Sequence, residues 1–328
     1  MSGTMKAMIL AAGFGERLWP LTADRTKPAL PVLGKPLVGY VAEWLAAFGV
    51  RDVVVNLHHE PDSVRSALGD GSKFGVQLQY VHEPVILGTS GALDNARELL
   101  GTDTFVVVNG KLITKIDLEA ALAQHRRERA LATLVLRPNM ARERFSMVEV
   151  KDGLISRFAG MPAKTDTGEP PLMFTGIQIL EPRIFDYIPP GVFSDTVINV
   201  YPQAIAKGER VIAHVAQGMW YELSTLQRYL DISLALLHDA GRDYFAGAHP
   251  EVGPNAQVHD AVLWDEVSIG PGATVERAVL GDRVRVGAGE TFTDAVVVRA
   301  EVIAGKNPPA KALKGELQGD NFVVHLSR

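Results

Sequence analysis

Two rhythms alternate along the first half of the chain. Short apolar runs of strand length fall at Ala7-Met8-Ile9-Leu10, Asp52 to Asn56, Leu78 to His82 and Phe105-Val106-Val107-Val108. Between them, apolar positions recur at helical spacing over Leu37 to Phe48, Ser63 to Leu68, Ala92 to Leu100 and about Asp117 to Arg127. A strand alternates its faces, whereas a helix returns to one face every three or four residues. The alternation therefore predicts βαβ units and a mostly parallel sheet. The rhythm then loosens. Strands are expected at Thr133 to Leu136, Met147 to Val150 and Thr175 to Leu180, with a helix near Thr196 to Lys207 and a closing helix at about Thr225 to His238. Asp239 to Pro250, rich in Gly, Ala and Asp, reads as a linker.

Beyond it a new pattern starts. Val252-Gly253-Pro254-Asn255-Ala256, Ile269-Gly270-Pro271-Gly272-Ala273 and Val286-Gly287-Ala288-Gly289-Glu290 are copies of one motif, 17 residues apart (252, 269, 286). An aliphatic residue followed by glycine at such a period marks a hexapeptide parallel β-helix, in which each coil buries its apolar corner only by stacking on the next. The tail is expected to be irregular from Ala304 until a last strand at Asn321-Phe322-Val323-Val324-His325-Leu326. The domain limits expected are 1–240, a linker at 241–249, the repeat at 250–300 and a tail at 301–328.

Composition narrows the function classes. A chain of 328 residues is long for one core, so two domains are the default. Net charge is −5, which gives no basic face for nucleic acid or an anionic membrane, and Arg126-Arg127-Glu128-Arg129 reads as a solvated helix face. No apolar run approaches the roughly 18 residues of a membrane span, and the amino-terminal stretch lacks a signal-peptide core. Cysteine is absent, which removes disulfides and thiolate metal sites and fits a cytoplasmic protein.

The chemistry concentrates in Leu10-Ala11-Ala12-Gly13-Phe14-Gly15-Glu16-Arg17-Leu18-Trp19-Pro20-Leu21-Thr22, followed by Thr26-Lys27-Pro28. Gly13 and Gly15 let backbone amides approach phosphate oxygens, and the loop follows the first strand, as a nucleotide-binding turn should. Its glycine spacing is neither a Rossmann fingerprint nor a Walker loop. Arg17 offers a bidentate fork and Lys27 a compact point charge, so together they could clamp a triphosphate.

These residues resemble the signature of the sugar-1-phosphate nucleotidyltransferases, a family that includes mannose-1-phosphate guanylyltransferases and glucose-1-phosphate thymidylyl- and uridylyltransferases. Glu83-Pro84 with Leu87-Gly88-Thr89-Ser90-Gly91-Ala92 is similar to the segment contacting base and sugar, Phe174-Thr175-Gly176-Ile177 to a strand lining the sugar pocket, and Trp220-Tyr221-Glu222-Leu223-Ser224-Thr225 to a Trp-x-Asp-Ile-Gly-Thr element. The resemblance implies an α/β fold: a mostly parallel, Rossmann-like doubly wound sheet with a small C-terminal left-handed parallel β-helix. It implies in-line attack of a sugar 1-phosphate oxygen on the α-phosphorus of a nucleoside triphosphate, expelling pyrophosphate. Arg17 would hold the β- and γ-phosphates and Lys27 the α-phosphate and the sugar phosphate. Leu10, Ala11, Ala12, Gly13, Phe14, Gly15, Glu83, Gly88 and Thr89 would hold the nucleotide, and Asn109, Thr175 and Gly176 the sugar. GTP and mannose 1-phosphate are the first expectation, with UTP or dTTP and glucose 1-phosphate or another sugar as alternatives. A homo-oligomer is expected from the β-helix.

The resemblance implies Mg2+ as cofactor, but the chain departs from the family at Asn109-Gly110-Lys111, where an aspartate that binds Mg2+ is the rule. Its companion position holds Glu222, which keeps the charge on a longer arm and is the expected metal ligand. The family's Glu-Lys-Pro element is replaced by Ala159-Gly160-Met161-Pro162, with Lys164 close by. Three readings of Lys111 are open. It replaces part of the charge of the magnesium and weakens metal dependence, it replaces the lost lysine, or the chain is a nucleotide-sugar-binding paralogue that no longer catalyses. An acyltransferase is a weaker alternative, because His259 is the only histidine of the repeats. Lys115 reads as surface, Asp117 and Asp195 as helix caps, and His58-His59 as turn histidines rather than metal ligands.

Overall fold

The computed structural model describes residues 5–161 and 168–326. Pro162 and Lys164 lie outside the described residues. The chain packs as two units: the first holds Met1–Ala12, Val38–Pro61 and Leu68–Trp220, and the second Gly13–Leu37, Asp62–Ala67 and Tyr221–Arg328.

The first unit is built on a nine-stranded sheet. Its strands, numbered in chain order, are β1 (Lys6–Leu10), β2 (Asp52–Leu57), β3 (Gln77–His82), β4 (Phe105–Asn109), β5 (Ala132–Pro138), β6 (Val148–Lys151), β7 (Leu154–Phe158), β8 (Leu172–Leu180) and β9 (Val211–Val215). They lie in the order β3-β2-β1-β4-β8-β5-β9-β7-β6. Seven of the nine run the same way; β8 and β7 are reversed. The fold is thus mixed α/β around a large, mostly parallel sheet. Strands β1 and β4 are unbroken apolar runs because both of their faces are covered, with Met8, Ile9, Val106 and Val107 fully buried. Helices Leu37–Ala47, Pro61–Leu68 and Leu118–Glu128 connect successive strands as expected, the last capped by Asp117, which accepts from Ala120 N at 3.2 Å.

Other elements differ from the sequence expectation. The single helix over Ala92 to Leu100 is two, Gly88–Asn95 and Arg97–Leu100, because the backbone leaves the helical region at Ala96. The helix near Thr196 to Lys207 is a wide π-type turn, Thr196–Val200, running into a short helix, Tyr201–Ala206. Asp195 caps it, accepting from Val197 N at 2.9 Å and Ile198 N at 3.3 Å. The strand expected from Thr175 begins at Leu172, and β7 and β9 are additional.

In the second unit, helix Leu226–Asp239 is capped by Thr225 and followed by strands that pair in parallel every 17 residues: Gln257, Thr274 and Thr291 lie in one register, and Glu251, Ser268 and Arg285 in another. The repeated glycines serve this stacking. A Cβ on Gly253 would lie 2.7 Å from Pro271 N, and one on Gly270 2.7 Å from Ala288 N, so only glycine lets successive coils approach. Ala261, Val267, Ala278, Val284 and Ala295 fill the interior. Two stretches differ from expectation. Within the expected linker, Tyr244–Ala246 is a strand that opens the stack by pairing with Ala261–Leu263. Before the expected last strand, Asn321–His325, the tail is not irregular throughout but adds Glu316–Gln318, antiparallel to it.

Candidate active site

In an open α/β sheet, ligands bind outside the carboxyl ends of the strands where the strand order reverses. The chain goes from β1 to β2 on one side and later returns to place β4 on the other, so the reversal lies between β1 and β4. Leu10 at the end of β1 is in register with Asn56 and with Asn109. Gly110 N donates to Leu10 O at 2.9 Å, and a Cβ on Gly110 would meet that oxygen at 2.9 Å, so the turn carrying Lys111 sits directly on the end of β1. Lys111 is half-buried there, whereas Lys115 is exposed.

Two polar side chains organise this end of the sheet. Asn56, 3% exposed, accepts from Ala11 N at 2.7 Å and donates to Glu83 Oε1 at 2.7 Å. Glu83, 1% exposed, uses Oε2 to accept from Leu87 N at 3.0 Å. The chain end after β1 and the loop before helix Gly88–Asn95 are therefore fixed to one buried carboxylate. Glu83 and Ala11 are among the residues expected from the sequence and Asn56 is not; its one signal is a polar residue ending an apolar run. Gly88 (φ 74°) leaves room for Ser194 O, 2.4 Å from where its Cβ would be, and Thr89 Oγ1 accepts from Thr196 N at 2.8 Å. On β8 the register shifts between Phe174 and Gln178, a bulge that contains Gly176 at φ 82°. A Cβ on Gly176 would lie 2.2 Å from Asn109 Nδ2, so the glycine leaves space for the Asn109 side chain. Thr175 is buried, donates its hydroxyl to Val135 O at 2.7 Å and accepts from Trp220 Nε1 at 3.0 Å.

The remaining expected residues belong to the second unit, which the chain enters between Ala12 and Gly13. Gly13 and Phe14 are exposed, and Gly15 turns left-handed at φ 70°. A Cβ on Gly15 would lie 2.9 Å from Lys27 Cβ, and Thr22 Oγ1 donates to Gly15 O at 3.3 Å. The loop thus folds back so that Gly15, Thr22 and Lys27 share one turn. Arg17 is exposed on the turn Glu16–Leu18, and Lys27 is half-buried at the start of Lys27–Ala29. Glu222 is 7% exposed, and its carbonyl accepts from Arg228 Nε at 2.8 Å. Among the described residues, no group of three or more His, Cys, Asp and Glu could hold a metal ion, and His58 Nδ1 pairs with Glu83 O at 2.7 Å. Arrays of amides and two cations on one folded loop suit phosphate binding.

Comparison with known proteins agrees with this geometry. A family model described as nucleotidyl transferase matches residues 6–239. The UTP–glucose-1-phosphate uridylyltransferase of Synechocystis is 31% identical over 280 residues, 81% of this chain and 72% of that protein. The mannose-1-phosphate guanylyltransferase of Mycobacterium tuberculosis is 28% identical over 291 residues, 80% of each chain. The solved structure of HddC from Yersinia pseudotuberculosis, complexed with GMP-PN, shares the fold with a TM-score of 0.62 at 19% identity, over 71% of this chain and 99% of that one.

Proposed function

We propose the function from one premise: the chain belongs to the nucleotidyl transferase family. The protein transfers a nucleoside monophosphate from a nucleoside triphosphate to a sugar 1-phosphate, as the names of its relatives describe. A sugar phosphate oxygen forms a bond to the α-phosphorus, the bond from that phosphorus to the bridging oxygen breaks, and pyrophosphate leaves with the electron pair. No enzyme-bound intermediate is required. Catalysis is positioning and neutralisation of phosphate charge.

In this reading, Arg17 holds the departing β- and γ-phosphates, and Lys27 neutralises the α-phosphate and the incoming sugar phosphate. Leu10 to Gly15, Glu83, Gly88 and Thr89 shape the nucleotide site. For Glu83 that role is indirect, because both of its oxygens are taken by Asn56 and Leu87. Asn109, Thr175 and Gly176 serve the sugar, with Thr175 acting through its backbone. The observation that carries the reading is the glycine turn closed on Lys27.

The donor set does not fit a magnesium site built by the protein. Glu222 supplies one carboxylate, and Lys111 stands where the second is expected. We therefore assign the divalent ion to the triphosphate itself and let Lys111 supply part of the positive charge at the strand end, which makes catalysis less dependent on metal.

GTP with mannose 1-phosphate is the first reading of specificity, supported by the mycobacterial relative, whose match spans 80% of both chains. UTP with glucose 1-phosphate is the second, favoured by the 31% identity of the Synechocystis relative. The 17-residue coils are read as a short left-handed β-helix at 250–300, after a catalytic domain at 1–240 and a linker at 241–249 and before a tail at 301–328, and as the surface of a homo-oligomer. We place the protein in the cytoplasm; no helix of the described residues is long and apolar enough to cross a membrane. The test is pyrophosphate release from a panel of nucleoside triphosphates and sugar 1-phosphates. Turnover of one pair supports the reading; binding of a nucleotide-sugar with no turnover of any pair would assign the chain to a non-catalytic paralogue.

A further inference from the structure

We propose that the C-terminal coils position the cation loop, with Asp282 and Trp264 acting through Arg25 on Lys27. The proposal rests on the reading of Lys27 given above and concerns residues of the second unit only. Arg25 lies two positions before Lys27, and its side chain is 23% exposed. Its Nη2 donates to Asp282 Oδ2 at 2.6 Å, from a coil 257 residues away in sequence. Its Nε donates to Asp24 Oδ1 at 2.9 Å, and its guanidinium lies 5.0 Å from the centre of the Trp264 ring. A planar fork held by two carboxylates and an aromatic face has little freedom to turn.

The partners are fixed in their own right. Asp282 uses its other oxygen, Oδ1, to accept from Asp265 N at 3.2 Å. Trp264 Nε1 donates to the Tyr229 hydroxyl at 3.0 Å, and that hydroxyl donates to Pro31 O, just after the cation loop. The rest of the loop is tied to the same body. The Trp19 and Phe322 rings meet edge to face at 5.2 Å, Lys306 Nζ donates to Ala23 O, and Lys311 pairs with Glu16 at 3.3 Å. On the amino side of Lys27, Thr26 N donates to Ser63 Oγ at 3.1 Å. A turn of one glycine and three residues of 3-10 helix has little rigidity of its own, whereas a stack of parallel coils does. The loop that carries Arg17 and Lys27 takes its shape from the coils, and Asp282 and Trp264 are positioning residues for the transfer.

The experiment uses the full chain and steady-state pyrophosphate release with the best substrate pair. Asp282→Asn and Arg25→Gln are each expected to lower kcat about tenfold while KM for the nucleoside triphosphate stays within about threefold, since misplaced Lys27 is felt most in the transition state. The double variant should be no worse than the worse single one, because both break one contact. Asp282→Glu, which keeps the charge on a longer arm, guards against a folding defect and should also lower kcat with an unchanged melting curve. His259→Gln, on the coils but away from the loop, should keep full turnover. Unchanged kcat in Asp282→Asn and Asp282→Glu, or single effects that multiply in the double variant, would overturn the proposal. Lys27→Ala separates the two levels. If it retains full turnover, the reading of Lys27 itself fails; if it abolishes turnover while the Asp282 variants keep theirs, only the positioning role fails.

Discussion

Asn56→Ala is the sharpest perturbation of the strand-end architecture. Its side chain, 3% exposed, accepts from Ala11 N and donates to Glu83 Oε1, both at 2.7 Å. Truncation leaves an amide and one oxygen of a buried carboxylate without these partners. Each buried group stranded in this way costs about 1–3 kcal/mol, and a charged one sits at the upper end. The sum is about 3–5 kcal/mol, or less if water fills the space of the lost side chain. At roughly 2–4 °C per kcal/mol for a body of this size, the melting temperature should fall by about 6–20 °C. Turnover should fall as well, because the amide of Ala11 and the loop at Leu87 lose a shared anchor. Asn56→Asp refines the test. It keeps an acceptor for Ala11 N but sets a second carboxylate against Glu83, and such a pair retains a proton above the ordinary carboxylate range. A folded pKa raised above the unfolded one gives stability that is present at low pH and lost as pH rises through the folded value. Asn56→Asp should therefore lose more stability at pH 8 than at pH 5. Urea unfolding at both pH values, paired with pyrophosphate release, makes the measurement. An Asn56→Ala chain within about 1 kcal/mol of wild type with full turnover would refute the reasoning.

Three further outcomes are expected. Gly176→Ala forces a side chain into a left-handed residue and against Asn109 Nδ2, so it should cost about 1–3 kcal/mol in unfolding and raise KM for the sugar phosphate; the same KM in both proteins would contradict it. Burial pushes the pKa of His125 below its ordinary value of 6.5, against the pull of Glu181 at 2.9 Å, so protonation favours the unfolded chain and stability is lost as pH falls below about 6.5. Melting temperatures between pH 7.5 and 5.5 should drop more steeply in wild type than in His125→Gln, and parallel slopes would sink the assignment. Lys111→Asp should make turnover more sensitive to chelator than wild type; equal sensitivity would remove Lys111 from charge neutralisation.

The hydrophobic rhythm made the parallel half of the sheet legible, because β1 and β4 are buried on both faces and cannot be anything but apolar runs. The coils were legible for a different reason: Gly253 and Gly270 recur because the next backbone passes where their side chains would be. Strands β7 and β9 were not. Leu154–Phe158 reads Leu-Ile-Ser-Arg-Phe, with its two polar residues side by side, so its five positions show no strand alternation to tell them from a loop. The break at Ala96 was not legible either, because neither Gly nor Pro marks it and the apolar spacing runs on through it. At the candidate site, the glycine–cation loop stood out by its residue types. Asn56 did not, since its importance comes from partners 45 residues before it and 27 after it. The ties from Arg25 to Asp282 and Trp264 were equally silent, because charge pairing across 257 residues leaves no trace in spacing.

The central claim is that cations on a folded glycine loop carry nucleotidyl transfer. Its most direct test is the rate of pyrophosphate release by wild type, Arg17→Ala and Lys27→Ala with the preferred nucleoside triphosphate and sugar 1-phosphate, in magnesium and in chelator. The account predicts measurable wild-type turnover that each substitution lowers by about a hundredfold or more, with melting temperatures unchanged. Wild-type turnover that survives both substitutions within a few-fold would contradict it.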